Sequence, residues 1–144
     1  RHTRFKYDWS SDVCSSDLVG AYAWRQLRDA GTHLALGSDF PVESVDPRLG
    51  LYAAVTRADG NGLPAGGWYP DEKLTAFEAL RGFTLEAAYA GFAEAEVGSL
   101  AAGKRADFVV LAEDPLAVPG AALRTLTVKA TYVDGEPVFE AGRK

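Results

Sequence analysis

Hydrophobic and polar residues follow a helical period in the first regularly patterned part of the chain. In residues 20–30, GAYAWRQLRDA, one face carries Ala23, Trp24, Leu27 and Ala30, and the charged residues fall on the opposite face. This spacing predicts an amphipathic helix over residues 20–30.

A short apolar run follows this helix. Gly31 stands where a C-cap glycine belongs. The run from Thr32 to Leu36 predicts a strand that is buried on both faces. Helix, glycine and buried strand together make half of an α/β repeat. Because the natural neighbours of that strand are absent from the chain, we expect the run to be exposed or mispaired, and the chain alone to aggregate or stay partly unfolded.

Helical signals continue after the strand. The dipeptide Asp46-Pro47 predicts a helix start, with aspartate as the N-cap and proline at the first helical position. Residues 59–70 form a Gly/Pro-rich loop whose length suggests function or mobility. A capping box beginning at Thr75 predicts the next helix, and Thr84 is predicted to cap another.

The pattern changes to short β-like segments after Gly98. The segments ADFVVLA, LRTLTVKATYV and EPVFEAG are each predicted to be strands. Asp134-Gly135 between the last two is a strong hairpin-turn signal. The chain is therefore predicted to be of the α/β class, with an α/β part over residues 19–98 and a β part over residues 99–144.

The first eighteen residues differ from all that follows. Residues 1–18 contain a Ser/Asp cluster, have no apolar period and hold the only cysteine, Cys14. The segment resembles translated adapter sequence, the alternative being a disordered native N-terminus. The segment is therefore predicted to be a non-native tail, and its removal leaves the net charge at −5 because its basic and acidic residues are equal in number. The chain also has no methionine, which suits a fragment of a longer protein.

Charge and composition exclude several classes of partner. A net charge of −5 and a pI of about 5.0 give no electrostatic attraction to nucleic acid or to an anionic membrane surface. No apolar run approaches the length of a membrane span. A single cysteine excludes an internal disulfide and fits a reducing compartment, so we expect a cytoplasmic protein.

The candidate chemistry lies in the tripeptide Gly37-Ser38-Asp39. Asp39 directly follows the predicted strand, and in parallel α/β folds the carboxyl ends of strands hold the active site. A carboxylate fixed there can ligate a divalent metal or accept a proton from metal-bound water. The motif alone is weak, and capping of a loop or helix turn explains Asp39 equally well.

A wider resemblance adds to this pattern. Four segments resemble YtcJ-like metal-dependent amidohydrolases of the amidohydrolase family 3 type, and they occur in the family's order. They are AYAWRQLRDAGTHLALGSDFPVESVDPRLGLYAAVTR, LTAFEALRGFTLEAAYAGF, GSLAAGKRADFVVLAEDPL and LRTLTVKATYVDGEPVFEAG. The resemblance extends from about Ala21 to the end of the chain.

This resemblance implies a fold and a reaction. The fold would be the C-terminal end of a TIM-type (β/α)8 barrel, followed by strands of a small composite β-sandwich. Asp39 would be the aspartate of strand eight, in contact with a divalent metal, usually zinc, or with its hydroxide. It would take the proton of the water and pass it to the leaving amine of a small amide-type substrate.

Much of the family's metal site is missing from this sequence. The pattern needs a His-x-His pair and further histidines, but the chain contains only His2 and His33. His2 lies in the predicted non-native tail, and His33 is better explained as a satisfied strand histidine than as a ligand. We therefore expect the chain alone to be inactive and to bind metal poorly. A non-catalytic α/β binding or structural module is the alternative, whereas a nucleotide binder is disfavoured because no phosphate-binding glycine loop is present.

Other residues near this pattern admit structural explanations. Arg57 could reach a substrate carboxylate, but a cation at a helix C-terminus explains it better. Trp68 and Tyr69 either line a pocket or anchor the long loop, and the sequence does not separate these roles. Glu43 and Asp46 lie close to Asp39 in sequence, where loop and cap roles account for them.

Overall fold

The computed structural model describes residues 22–143, which form short helices followed by a three-stranded antiparallel sheet of order β1-β2-β3. The predicted foreign segment 1–18 lies outside these residues. The helices are α1 (Trp24–Asp29), α2 (Pro47–Thr56), α3 (Ala76–Arg81) and α4 (Ala87–Ala90), and the strands are β1 (Phe108–Leu111), β2 (Val128–Val133) and β3 (Glu136–Glu140). Shorter turns are 3-10 at Pro70–Glu72 and Gly120–Thr125 and π-helical at Gly82–Glu86.

The C-terminal end of α1 confirms the predicted glycine cap. Gly31 has a φ of +86°, in the left-handed region that glycine adopts without steric cost. Its N–H donates to the carbonyl of Arg28, and the N–H of Thr32 donates to the carbonyl of Leu27, both at 3.0 Å. These two bonds form a Schellman motif and satisfy the last carbonyls of the helix.

The predicted strand from Thr32 to Leu36 is wrong. Within residues 22–143 this run is extended but joins no sheet. Its backbone is held where the N–H of Leu36 donates to the carbonyl of Gly82, at 3.0 Å. Leu34 and Leu36 are half-buried against the core, whereas Ala35 is exposed. The reason is that a strand requires a neighbouring strand, and this run meets helical turns instead.

Helix α2 begins as predicted. The carboxylate of Asp46 accepts the backbone N–H of Arg48 at 3.0 Å, and Pro47 occupies the first helical position. The helix buries Leu51 and Ala54. These side chains pack in a cluster that also holds Leu74 and Ala79. Helix α2 is therefore the central element on which α3 and the extended run rest.

The capping box of α3 is confirmed, but the cap predicted at Thr84 is wrong. The Thr75 hydroxyl accepts the N–H of Glu78 at 3.2 Å, and the Glu78 carboxylate accepts the N–H of Thr75 at 2.9 Å. Thr84 lies inside the π-helical turn that continues α3 into α4. Its hydroxyl donates to the carbonyl of Leu80 at 2.8 Å, so it is bonded along the helix and does not start a new one.

The capping glutamate also joins α3 to α1. The Arg25 guanidinium donates to both oxygens of Glu78, at 2.8 and 2.5 Å. These bonds, together with those from Thr75, lower the pKa of Glu78 from its ordinary 4.5 to about 2. The Glu78 side chain is only 13% exposed, so solvent screens this pair little.

The ion pair between Arg25 and Glu78 makes the stability of the fold depend on pH in the acid range. A carboxylate whose pKa falls on folding stabilises the fold above its unfolded pKa, and this stabilisation is lost as the pH falls from about 4.5 toward 2. We expect Glu78→Gln to cost about 2 kcal/mol at pH 7, between the values for exposed and buried pairs. Urea denaturation at several pH values measures this. If the variant and the unmodified chain lose stability in parallel below pH 4.5, the pair contributes nothing.

The hairpin predicted at Asp134-Gly135 is confirmed. Asp134 and Gly135 have φ values of +52° and +82°, which fits the type I′ turn that joins twisted antiparallel strands.

The predicted strand LRTLTVKATYV is wrong in its first residues, because β2 begins only at Val128. Leu123 and Leu126 precede it and are buried against Tyr52 of α2. A 3-10 turn places side chains three residues apart on one face, as this packing requires.

A large share of the apolar surface stays uncovered. Phe92 is 94% exposed, Val42 79% and Leu100 75%. Val109 of β1 and Phe139 of β3, which both pair with Thr131 of β2, are also about half exposed. Exposed apolar side chains that lie together are typical of surfaces that contact other protein segments or that promote aggregation. None of the helices in residues 22–143 combines the length and the hydropathy that a membrane crossing needs.

Candidate active-site carboxylate and its surroundings

Asp39 lies in the turn between the extended run and α2. Its φ is +57°, a left-handed conformation that aspartate adopts more readily than most residues. Its carbonyl accepts the N–H groups of Val42, at 2.8 Å, and Glu43, at 3.2 Å. The side chain is exposed, and no donor within residues 22–143 bonds its carboxylate. The carboxylate is thus presented at the surface, and Asp39 is not acting as a cap.

The two other acidic residues of this turn have different surroundings. Asp46 caps α2, as the sequence indicated, and its carboxylate is held by the Arg48 guanidinium. These hydrogen bonds lower the pKa of Asp46 below its ordinary value. Glu43 is exposed. Asp46 is therefore occupied by a structural task, whereas the carboxylates of Asp39 and Glu43 are both exposed.

His33 is engaged by a helix and not by the Asp39 turn. Its Nδ1 lies 2.5 Å from Oε2 of Glu86, and its ring stacks on Tyr89 at 4.3 Å between centroids. Arg81 donates to the other oxygen of Glu86 at 2.5 Å. Bonds from His33 and Arg81 lower the pKa of Glu86. A satisfied histidine agrees with the preferred interpretation of the sequence, although His33 is exposed and lies outside any strand.

The described part of the chain does not complete a metal site. Nowhere in residues 22–143 do three His, Cys, Asp or Glu side chains gather closely enough to hold a metal ion. Asp39 supplies one hard oxygen donor, while a catalytic zinc needs three protein ligands. Asp39 therefore fits a metal site as one of its ligands, but the described residues do not supply the complete set.

Arg57 ends α2 and is buried between two tryptophans. Its guanidinium carbon lies 4.9 Å from the Trp24 ring centroid and 5.0 Å from that of Trp68. Nε donates to the carbonyl of Trp68 at 2.6 Å, and Nη1 donates to that of Tyr22 at 3.1 Å. Burial lowers the pKa of this arginine. Trp68 therefore anchors the long loop on α2. It also borders a cavity with Tyr22 and Trp24, so both roles considered from the sequence stay open.

The position of Arg57 argues against a role at Asp39. Helix α2 has ten residues and is about 15 Å long, with Asp39 before its first turn and Arg57 at its last. The tryptophan contacts and the two hydrogen bonds to backbone carbonyls give the Arg57 guanidinium a structural task at that end of the helix. The sequence signalled the cation at the helix end but not the tryptophans that surround it.

The arrangement of helices and sheet has a counterpart among solved structures. The chain superposes on an amidohydrolase from Thermotoga maritima with a TM-score of 0.55 and 24% identity, covering 83% of this chain and 26% of that one. This likeness shows that the chain shares part of the fold of that protein.

Sequence relatives identify the family. The Bacillus subtilis protein YtcJ, named as an amidohydrolase, is 36% identical over 135 residues, which cover 93% of this chain and 26% of that protein. The N-substituted formamide deformylase of Arthrobacter pascens is 42% identical over 116 residues, 81% of this chain and 21% of the enzyme. The model of the Amidohydrolase family matches residues 10–139, and the chain belongs to this family.

The matches cover only part of each relative. The chain spans only 21–26% of the length of these relatives. The family match begins at residue 10, inside the segment 1–18, so the foreign origin of that segment stays a prediction. The boundaries 19–98 and 99–144 also stay predictions.

Proposed function

We propose that this chain forms the C-terminal barrel end and the sandwich strands of a metal-dependent hydrolase that cleaves a C–N bond in a small amide-type substrate. The observation that carries the proposal is the exposed Asp39 carboxylate, presented in the turn before α2 in a chain of the amidohydrolase family. The name of the Arthrobacter pascens relative, a formamide deformylase, favours a non-peptide amide.

Asp39 would move one proton through the reaction. Water attacks the carbonyl carbon, and Asp39 accepts the proton that this water loses. The protonated Asp39 then donates to the nitrogen as the C–N bond breaks, so that the amine leaves neutral and the carboxylate is restored. A single group acting first as base and then as acid suits a hydrolysis.

A divalent metal, zinc in our proposal, supplies polarisation of the carbonyl and acidification of the water when it is bound. Asp39 would be one of its ligands, and the other ligands would come from parts of a longer protein. The chain by itself is proposed to be inactive, since no group of three His, Cys, Asp or Glu side chains forms a metal site in residues 22–143.

A graft tests this proposal. In the Arthrobacter pascens enzyme, the segment aligned with this chain is replaced by the corresponding residues of this chain, which are 42% identical over 116 residues. We expect the graft to hydrolyse an N-substituted formamide, to lose activity on chelation and to regain it with zinc, while the 144-residue chain alone shows no turnover. A folded, metal-loaded graft without activity would favour the non-catalytic module.

A further inference from the structure

The turn that carries Asp39 is held from its ends. Within residues 37–46, Phe40 is 65% exposed and Val42 is 79% exposed, so burial of the turn's own side chains fixes little. Two backbone hydrogen bonds inside the turn converge on the carbonyl of Asp39, and the N–H of Asp46 donates to the hydroxyl of Ser44, which together set the local shape. The position of that shape relative to the rest of the chain must come from contacts at either end.

Arg48 makes the contact at the downstream end. Its Nε and Nη2 form a fork with the Asp46 carboxylate, at 2.9 Å to Oδ1 and 2.6 Å to Oδ2. Its Nη1 donates to the backbone carbonyl of Leu126 at 2.6 Å. Leu126 is 2% exposed and lies just before β2, so one guanidinium joins the end of the Asp39 turn to the base of the sheet.

The ion pair between Arg48 and Asp46 is better suited to orienting the Asp39 turn than to stabilising the fold. The side chains of Arg48 and Asp46 are 34% and 27% exposed, and pairs of this kind contribute little to stability. A guanidinium fork fixes the direction of its partners, however, because its donors are coplanar and rigid. Replacing it should therefore move the turn more than it weakens the fold.

We propose that Arg48 is a positioning residue, which orients Asp39 by fixing Asp46 against the carbonyl of Leu126. This inference rests on the proposed function of Asp39. It adds a role for a residue that makes no contact with the carboxylate itself.

Arg124 offers a matched control. Its Nη1 donates to the carbonyl of Gly60, and its guanidinium lies 5.0 Å from the Tyr52 ring centroid. It therefore joins the 3-10 turn Gly120–Thr125 to Tyr52 of α2 and to the loop after that helix, at the end opposite to Arg48. An effect on general packing should be common to both arginines, whereas an effect on Asp39 should belong to Arg48.

The test compares Arg48→Met, Arg48→Lys and Arg124→Met. Hydrogen exchange of the peptide covering residues 38–46 is measured in the 144-residue chain at low micromolar concentration and in the graft. For Arg48→Met we expect exchange about tenfold faster and a kcat about tenfold lower with KM within twofold, since small misplacements of catalytic groups are costly. Arg48→Lys should lie between, because an ammonium replaces one bond of the fork. Arg124→Met should leave both kcat and the exchange rate of this peptide within twofold of their values in the unmodified protein.

Equal effects of Arg48→Met and Arg124→Met would overturn the inference, as would unchanged exchange and kcat in Arg48→Met. Should Arg48→Met fail to fold, Asp46→Asn keeps a good N-cap while weakening the fork, and it must show the same changes in smaller measure. If Asp39→Asn proves inactive while Arg48→Met behaves as the unmodified graft, the inference fails alone. If Asp39→Asn stays active, the proposed function fails and takes the kinetic part of the inference with it.

Discussion

Asp39→Asn in the graft is expected to lower kcat by about two to four powers of ten, the range that a positioned general base supplies. Asparagine has nearly the same shape as aspartate but cannot accept the proton of the attacking water. The free energy of unfolding should change by less than about 0.5 kcal/mol, as for surface sites that make no special contact. This follows because no donor in residues 22–143 bonds the Asp39 carboxylate.

The matched control for this prediction is Glu43→Gln. Glu43 is another exposed carboxylate of the same turn, and it donates its N–H to the Asp39 carbonyl. Its neutralisation changes the charge of the turn by the same amount without removing the proposed proton acceptor. Steady-state rates for both variants, with zinc content measured in each, separate the two effects. Full activity in Asp39→Asn combined with a loss of stability would make Asp39 a structural residue.

Features set by short-range chemistry could be predicted from the sequence. The cap at Asp46, the glycine at position 31 and the turn at Asp134-Gly135 each depend on a few consecutive residues. The backbone groups at helix ends and in tight turns have few possible partners, and particular side chains supply them. The cap predicted at Thr84 is the exception, because the π-helical turn continues α3 through that residue.

Features that depend on distant partners could not be predicted in this way. The run from Thr32 to Leu36 has the composition of a buried strand, yet it lies against Gly82 in a helical turn. Leu123 looks strand-like in sequence, but its packing on α2 sets it in a 3-10 turn. In both cases the local pattern left the conformation open, and the element packed against it decided the outcome.

The residues of the candidate site differ in the same way in whether the sequence could predict them. Asp39 was found from its place after an apolar run and from the family resemblance, and its assigned role stays a proposal. Arg48 gave no signal, because its partner Leu126 is remote in sequence and offers only a backbone carbonyl. The tryptophan clamp of Arg57 was missed for a similar reason, since Trp24 and Trp68 meet only in the folded chain.

The long loop of residues 59–70 closes against α2 at a glycine that leaves no room for a side chain. Gly67 has a φ of +89°, and a Cβ placed there would lie 2.2 Å from the carbonyl oxygen of Thr56. The next residue, Trp68, donates its N–H to the carbonyl of Arg57 at 2.7 Å and packs on the Arg57 guanidinium. A methyl group at position 67 would therefore push against backbone at the end of α2 and draw Trp68 away from a buried cation.

Gly67→Ala in the graft is accordingly expected to cost about 3 kcal/mol of stability, since left-handed strain contributes about 1 to 2 kcal/mol and overpacking about 1 to 3 kcal/mol. Gly31→Ala is the matched control, because its φ is +86° but a Cβ there meets nothing within 4 Å. It should cost only the conformational strain, about 1 kcal/mol. Urea denaturation followed by tryptophan fluorescence at low micromolar concentration compares the two. Equal costs would mean that the loop yields to the methyl group and that Arg57 and Trp68 do not hold it against α2.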